Sequence, residues 1–145
     1  MYKKHKLIII FGFISLFFIS CYFELDYSKI SSEGITIVSI ALAVYIASFS
    51  SLTTSTLAKI MENKSDRRIP GKSELGVLEA YLQNAIALGL GCITMSCICK
   101  LLDKEFLGEI GYKVLSSVGI ALLGVNIIFI WLLFKFMLNR QLRDR

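Results

Sequence analysis

The segment VLSSVGIALLGVNIIFIWLLFKFML, residues 114–138, decides the fold. It contains no Asp, Glu or Arg, and its one charge, Lys135, stands near the C-terminal edge. A helix crossing the hydrocarbon core of a bilayer needs about 20 consecutive, predominantly apolar residues. This stretch has that length, and only a helix can satisfy its own backbone hydrogen bonds across such a span. Toward the N-terminus the same character recurs at Ala80–Leu102, Ile35–Ala58 and Leu7–Phe23, again without Asp, Glu or Arg. The expectation is an all-α, four-helix transmembrane bundle forming one membrane domain over residues 1–145.

Composition agrees with that count. The chain is 55% hydrophobic with a mean hydropathy of +0.67, well above an ordinary soluble domain. Two short tails, two short connections and one longer connection remain, too little for a separate soluble domain. Function must therefore come from the bundle or its rims.

Charge sets the expected orientation. The first tail carries Lys3, Lys4 and Lys6, the second connection Lys59, Lys64, Arg67, Arg68 and Lys72, and the last tail Lys135, Arg140, Arg143 and Arg145. That is twelve Lys and Arg against four in the other two connections, which are Lys29, Lys100, Lys104 and Lys113. Cytoplasmic loops carry the excess of Lys and Arg. Both termini and the second connection are therefore expected in the cytoplasm, and the protein in the bacterial inner (plasma) membrane. The net charge of +5 is explained by topology without direct nucleic-acid binding, although basic groups beside a membrane also hold anionic lipid head groups. A competing reading takes Lys3–Lys6, the apolar run and Phe18-Ile-Ser-Cys21 as a lipoprotein signal. Phe18 departs from the small aliphatic residue usual three positions before the cysteine, so an uncleaved first helix is preferred.

The second connection reads as a helical hairpin over about residues 59–79. The helix of span two continues through Lys59–Asn63, and Pro70-Gly71 marks the reversal. Ser73 can cap the next helix, with Glu74 in its first turn where the dipole favours negative charge. That helix would run to Leu102, about 45 Å at 1.5 Å per residue, longer than the bilayer core. Its apolar residues Leu75, Val77, Leu78 and Tyr81 offer a docking face for a soluble partner. Helical apolar spacing equally serves packing within the chain.

Small and polar residues inside the spans are the other candidates. Ala43, Ala47, Ser51 and Ser55 recur every four residues on one face of span two. Small residues let membrane helices approach closely, which fits an oligomer face; a hydroxyl-lined path for water or ions is the alternative. Gly89 of span three also favours close contact and joins the candidate oligomer or pore face. Asn126, near the middle of span four, is costly in lipid unless partnered, and so should face the bundle interior. Its role is an interhelical or intersubunit hydrogen bond or, in the alternative, a selectivity or gate role on an oligomer or pore face.

Several functional classes lose support. The spans lack a central Asp, Glu, Lys, Arg or His of the kind that proton-coupled transport uses. A small multidrug-resistance transporter has the right size, but its acidic residue in the first span has no counterpart between Leu7 and Phe23. Cys21, Cys92, Cys97 and Cys99 have no histidine-bearing zinc spacing, so no metal and no cofactor is expected. A disulfide from Cys21 to Cys97 or Cys99 remains geometrically open if that face is oxidising. No nucleophile and base are suggested by spacing, which argues against an enzyme.

Four spans, short outer loops, a basic inner hairpin at Lys59–Lys72 and an Arg-rich tail at Arg140–Arg145 together form a layout that resembles the membrane subunit of the Kiwa antiphage defence system. The resemblance implies a homo-oligomeric membrane sensor that carries a soluble cytosolic partner. In that reading Lys64, Arg67, Arg68, Arg140 and Arg143 supply attraction, while Leu78 and Tyr81 supply contact area. The alternative is a pore-forming effector or holin-like channel built on the Ser48–Thr56 hydroxyls.

Overall fold

A computed structural model describes residues 2–53, 56–66, 69–102 and 104–141. The described chain is helical, with one isolated bridge between Ser65 and Ser73. Helix α1 spans Lys3–Phe23, α2 Ser31–Thr53, α3 Thr56–Asn63, α4 Glu74–Leu101 and α5 Lys104–Gln141, with a short 3-10 helix at Tyr27–Ile30 before α2. Four of these segments are long and apolar enough to cross a membrane. The fourth begins ten residues ahead of the expected Val114, because the apolar pattern understates how far the helix reaches beyond the bilayer core. Its first turn is set apart by Gly108, at φ 68° and ψ 167°, a region essentially reserved for glycine.

Ser73 caps α4 as the sequence implies, its Oγ accepting from the Gly76 N–H at 3.1 Å. On the other side of the connection, α3 covers Thr56–Asn63, and residues 54–55 between it and α2 lie outside the described residues.

The helices are arranged in an open order. Helix α1 packs on α5, α5 also packs on α4, and α4 on α2; α1 has no backbone contact with α2 or α4. In lipid there is little hydrophobic drive to bring helices together, so close van der Waals fit must do it. Glycines create that fit. A Cβ at Gly12 would stand 2.8 Å from Ile128 Cδ1, one at Gly89 would stand 2.8 Å from Leu42 Cδ2, and one at Gly124 would overlap Leu16. The core lies mainly between α2, α4 and α5, around Val38, Leu42, Tyr81, Ala85, Phe129 and Leu133. Helix α1 contributes little to it and faces outward with Leu7, Phe11, Ile14 and Phe18.

Candidate functional site

One end of the bundle gathers the N-terminus and the 64–73 connection. Tyr2 donates its hydroxyl to Asp66 Oδ2 at 2.8 Å and its backbone N–H to the Tyr81 hydroxyl at 3.2 Å. The Tyr81 hydroxyl also pairs with His5 Nδ1 at 2.6 Å. The rings of Tyr2, His5 and Tyr81 meet edge to face, with centroids 5.5 to 6.0 Å apart. Asp66, only 4% exposed, is the organiser of the connection. Its Oδ1 accepts from the Ile69 N–H at 3.0 Å, its N–H donates to the Lys72 carbonyl at 2.8 Å, and the Glu74 N–H donates to the Lys64 carbonyl at 2.9 Å. The described part of the chain reverses at Pro70-Gly71, where Gly71 takes φ 83°. Around this ordered centre Lys3, Lys4, Lys6, Lys59, Lys72 and Lys135 are exposed and Lys64 is half-buried.

The structure redistributes the candidate residues. Leu78 and Tyr81 are 3% and 0% exposed, so they are not a docking face for a partner: α2, α5 and the folded-back N-terminus cover them, and they pack in the core. Gly89 is likewise buried, under the Leu42 side chain, and serves the α2–α4 contact inside one chain instead of an outward oligomer face. Asn126 is turned inward, its Nδ2 donating to the Leu122 carbonyl at 2.9 Å and across to the Leu88 carbonyl at 3.3 Å. Ala43 and Ala47 face outward from α2. Ser55, Arg67, Arg68 and Arg143, and the side chains of Ser51 and Arg140, lie outside the described residues.

The opposite end is closed by Tyr27, which composition alone assigns to an exposed connection. It is fully buried. Its N–H donates to Ser116 Oγ at 2.6 Å, its hydroxyl pairs with Ser96 Oγ at 2.7 Å and lies 3.8 Å from Cys92 Sγ. Two glycines make its seat: a Cβ at Gly34 would approach the Tyr27 hydroxyl at 2.8 Å, and one at Gly119 would overlap the ring. The only local hint of this was Ser96 and Cys92, four residues apart on one helix face.

Beside Tyr27, Lys113 Nζ pairs with Glu24 Oε1 at 2.8 Å, and Asp26 Oδ1 accepts from the Tyr112 hydroxyl and the Ser28 hydroxyl, each at 2.8 Å. The hydrogen bond and charge of Lys113 hold the Glu24 carboxyl below its ordinary value of 4.5. For Asp26 partial burial pushes upward, but the hydrogen bonds from Ser28 and Tyr112 outweigh it, leaving the carboxyl below 3.8. Carboxyls depressed in the folded state stabilise it above their unfolded values, and that contribution disappears as pH falls through the folded ones. The clamp should therefore be intact at neutral pH and be lost only in acid, as pH falls below the ordinary carboxyl range. A carboxyl carbon-13 titration should find both groups below their unfolded values, and Lys113→Gln should return Glu24 upward while leaving Asp26 where it is. An unshifted Glu24 in the parent protein would remove the ion pair from the account.

The four cysteines are free: Cys21 Sγ donates to Ser117 Oγ at 3.2 Å, Cys97 faces outward, and Cys99 turns toward the Leu115 carbonyl. Among the described residues no three His, Cys, Asp or Glu side chains gather as metal ligands would. No protein-family model, curated protein or solved structure matches the chain.

Proposed function

We propose that this chain is a non-enzymatic subunit of the bacterial inner membrane, a scaffold or sensor that assembles with copies of itself and recruits a soluble cytosolic partner within an antiphage defence complex. The observation that carries this reading is the ordered basic end. Asp66 ties the connection to the N-terminus through Tyr2 and to Ile69, and the N-terminal and connection lysines Lys3, Lys4, Lys6, Lys59 and Lys72 are exposed. A preformed, cationic surface binds a soluble acidic partner with little ordering cost and attracts it over a Debye length. The excess of Lys and Arg at the tails and second connection orients that end toward the cytoplasm.

With Leu78 and Tyr81 inside the core, recruitment rests on charge: Lys64, Arg67 and Arg68 of the connection and Arg140 and Arg143 of the tail. Self-assembly uses the outward small-residue face of α2, where Ala43 and Ala47 remain unused within the chain. The layout shared with the Kiwa membrane subunit supplies the antiphage context.

Arg67→Glu with Arg68→Glu should reduce co-purification of the soluble partner about tenfold or more, as reversal of charge at a steered contact does. Native mass spectrometry of the tagged protein, gently extracted from its own host, reads both the copy number and the partner. A stoichiometric soluble chain that survives the double reversal in correctly inserted protein would remove this surface from the account. A homo-oligomer with no soluble chain would direct the next measurement to conductance in planar bilayers.

A further inference from the structure

The outward side of the α1–α5 pair carries an open, wholly apolar groove lined by Leu7, Ile8, Phe11, Gly12, Ile128 and Trp131. The register of the two helices fixes where it opens. Gly12 lies against Ile128 and Leu16 against Gly124, so four residues back along α1 match four forward along α5, and Cys21 against Ser117 continues the same antiparallel contact. Continued from Gly12 and Ile128, that register brings Lys4 level with position 136, one residue beyond Lys135. Lys4 lies one turn before Leu7 and Ile8 on the same helix face, and Lys135 one turn beyond Trp131. Both lysines are exposed, and Lys135 Nζ stands 4.8 Å from the centre of the Trp131 ring. The groove is therefore apolar along its length and cationic at one mouth.

We infer that this groove is a binding site for an anionic phospholipid, with one acyl chain lying along Leu7, Phe11 and Ile128 and the phosphate held between Lys4 and Lys135. Dimensions suit this occupant. From Lys4 to Gly12 is about 12 Å at 1.5 Å per residue, most of one leaflet of a core about 30 Å thick. Charge complementarity selects the head group: two ammonium groups flanking one opening favour a net negative phosphodiester over a zwitterion, whose own cation they repel. The exposed ring of Trp131 sits at the junction of chain and head group, where tryptophan is enriched in membrane proteins. The site rests on the membrane reading above and is independent of partner recruitment.

Trp131 is the single tryptophan of the chain, so its fluorescence reports on the groove alone. The full-length protein would be reconstituted into vesicles containing either phosphatidylglycerol or phosphatidylcholine with brominated chains, each diluted into unbrominated lipid of the other class. Brominated phosphatidylglycerol should quench Trp131 with an apparent association at least about threefold stronger than phosphatidylcholine, a gain expected of two exposed lysines partly screened by solvent. The ratio should fall to near one in Lys4→Gln with Lys135→Gln, and stay at the parent value in Lys29→Gln, which removes an exposed lysine from the opposite end. Lys4→Gln alone should lower the ratio without touching the Trp131 ring. Equal quenching by both lipids would overturn the site, leaving an ordinary annular lipid. A preference that survives the double substitution would overturn it too, assigning the selectivity to overall charge. Absence of quenching by either lipid would remove the membrane reading itself.

Discussion

Replacing Tyr27 by alanine should destabilise the folded bundle by about 3 to 5 kcal/mol, the range for deleting a large buried aromatic side chain. The residue is wholly buried, and Gly34 and Gly119 leave a slot shaped to its ring. Its removal would open a cavity where α2, α4 and α5 meet the 3-10 helix, and would strand the Ser96 hydroxyl, although Ser96 keeps a bond to the Cys92 carbonyl at 2.8 Å. Tyr27→Phe isolates the polar share. The ring stays, the hydroxyl contacts to Ser96 and Cys92 go, and the loss should be about 1 kcal/mol, in keeping with measured polar contacts between membrane helices. Equilibrium unfolding in mixed micelles checks both. A Tyr27→Ala protein as stable as the parent would show that this end of the bundle is not held by the ring.

Asp66→Ala should release the other end. The carboxylate accepts from the Tyr2 hydroxyl and the Ile69 N–H, and bonds to a charged, buried group are each worth about 1.5 to 3 kcal/mol. The two do not add in full, because the freed Tyr2 and Ile69 groups can bond to water, so the expected loss is about 2 to 4 kcal/mol of local stability, confined to the connection and the first turn of α1. Hydrogen exchange should accelerate at Ile69 and Lys72, about 30-fold or more for 2 kcal/mol, while amides in the middle of α4 keep their protection. Asp66→Asn retains an acceptor and should recover part of the loss. If exchange at Ile69 is unchanged in Asp66→Ala, the turn is maintained by its backbone alone.

How far the fold could be read in advance differs from residue to residue, for physical reasons. Four apolar helices were legible because solvent dictates them: twenty apolar residues have few alternatives in a bilayer. The Ser73 cap was legible because it is local, requiring only a hydroxyl three residues before an unsatisfied N–H. Tyr27 was not. It sits between Asp26 and Ser28 in a polar connection, and its burial depends on Gly119, 92 residues away, which no local pattern links to it. Leu78 and Tyr81 were misread for a related reason. Helical spacing marks an apolar face without saying what covers it, and the cover includes Tyr2, folded back from the far end of the chain. Asn126 was read correctly as inward-facing, since an amide in lipid has one economical solution, but its acceptor, the Leu88 carbonyl, is a tertiary fact. Gly89 looked like an outward contact because a small residue reads the same whether its neighbour is another copy or Leu42 of its own chain.

The pairing of α1 with α5 governs the order in which the molecule can be put together. Helix α1 leaves the ribosome before α5, and the surface that receives it, from Ser117 to Ile128, follows about a hundred residues later. At about 5 to 20 residues per second, the first helix waits roughly 5 to 20 s before its partner exists. During that interval α2 and α4 can close on each other through Leu42 and Gly89, but α1 has only lipid as a neighbour. Its large aliphatic and aromatic side chains and its three lysines suit that interval, because they make an unpaired helix stable in the bilayer until α5 arrives.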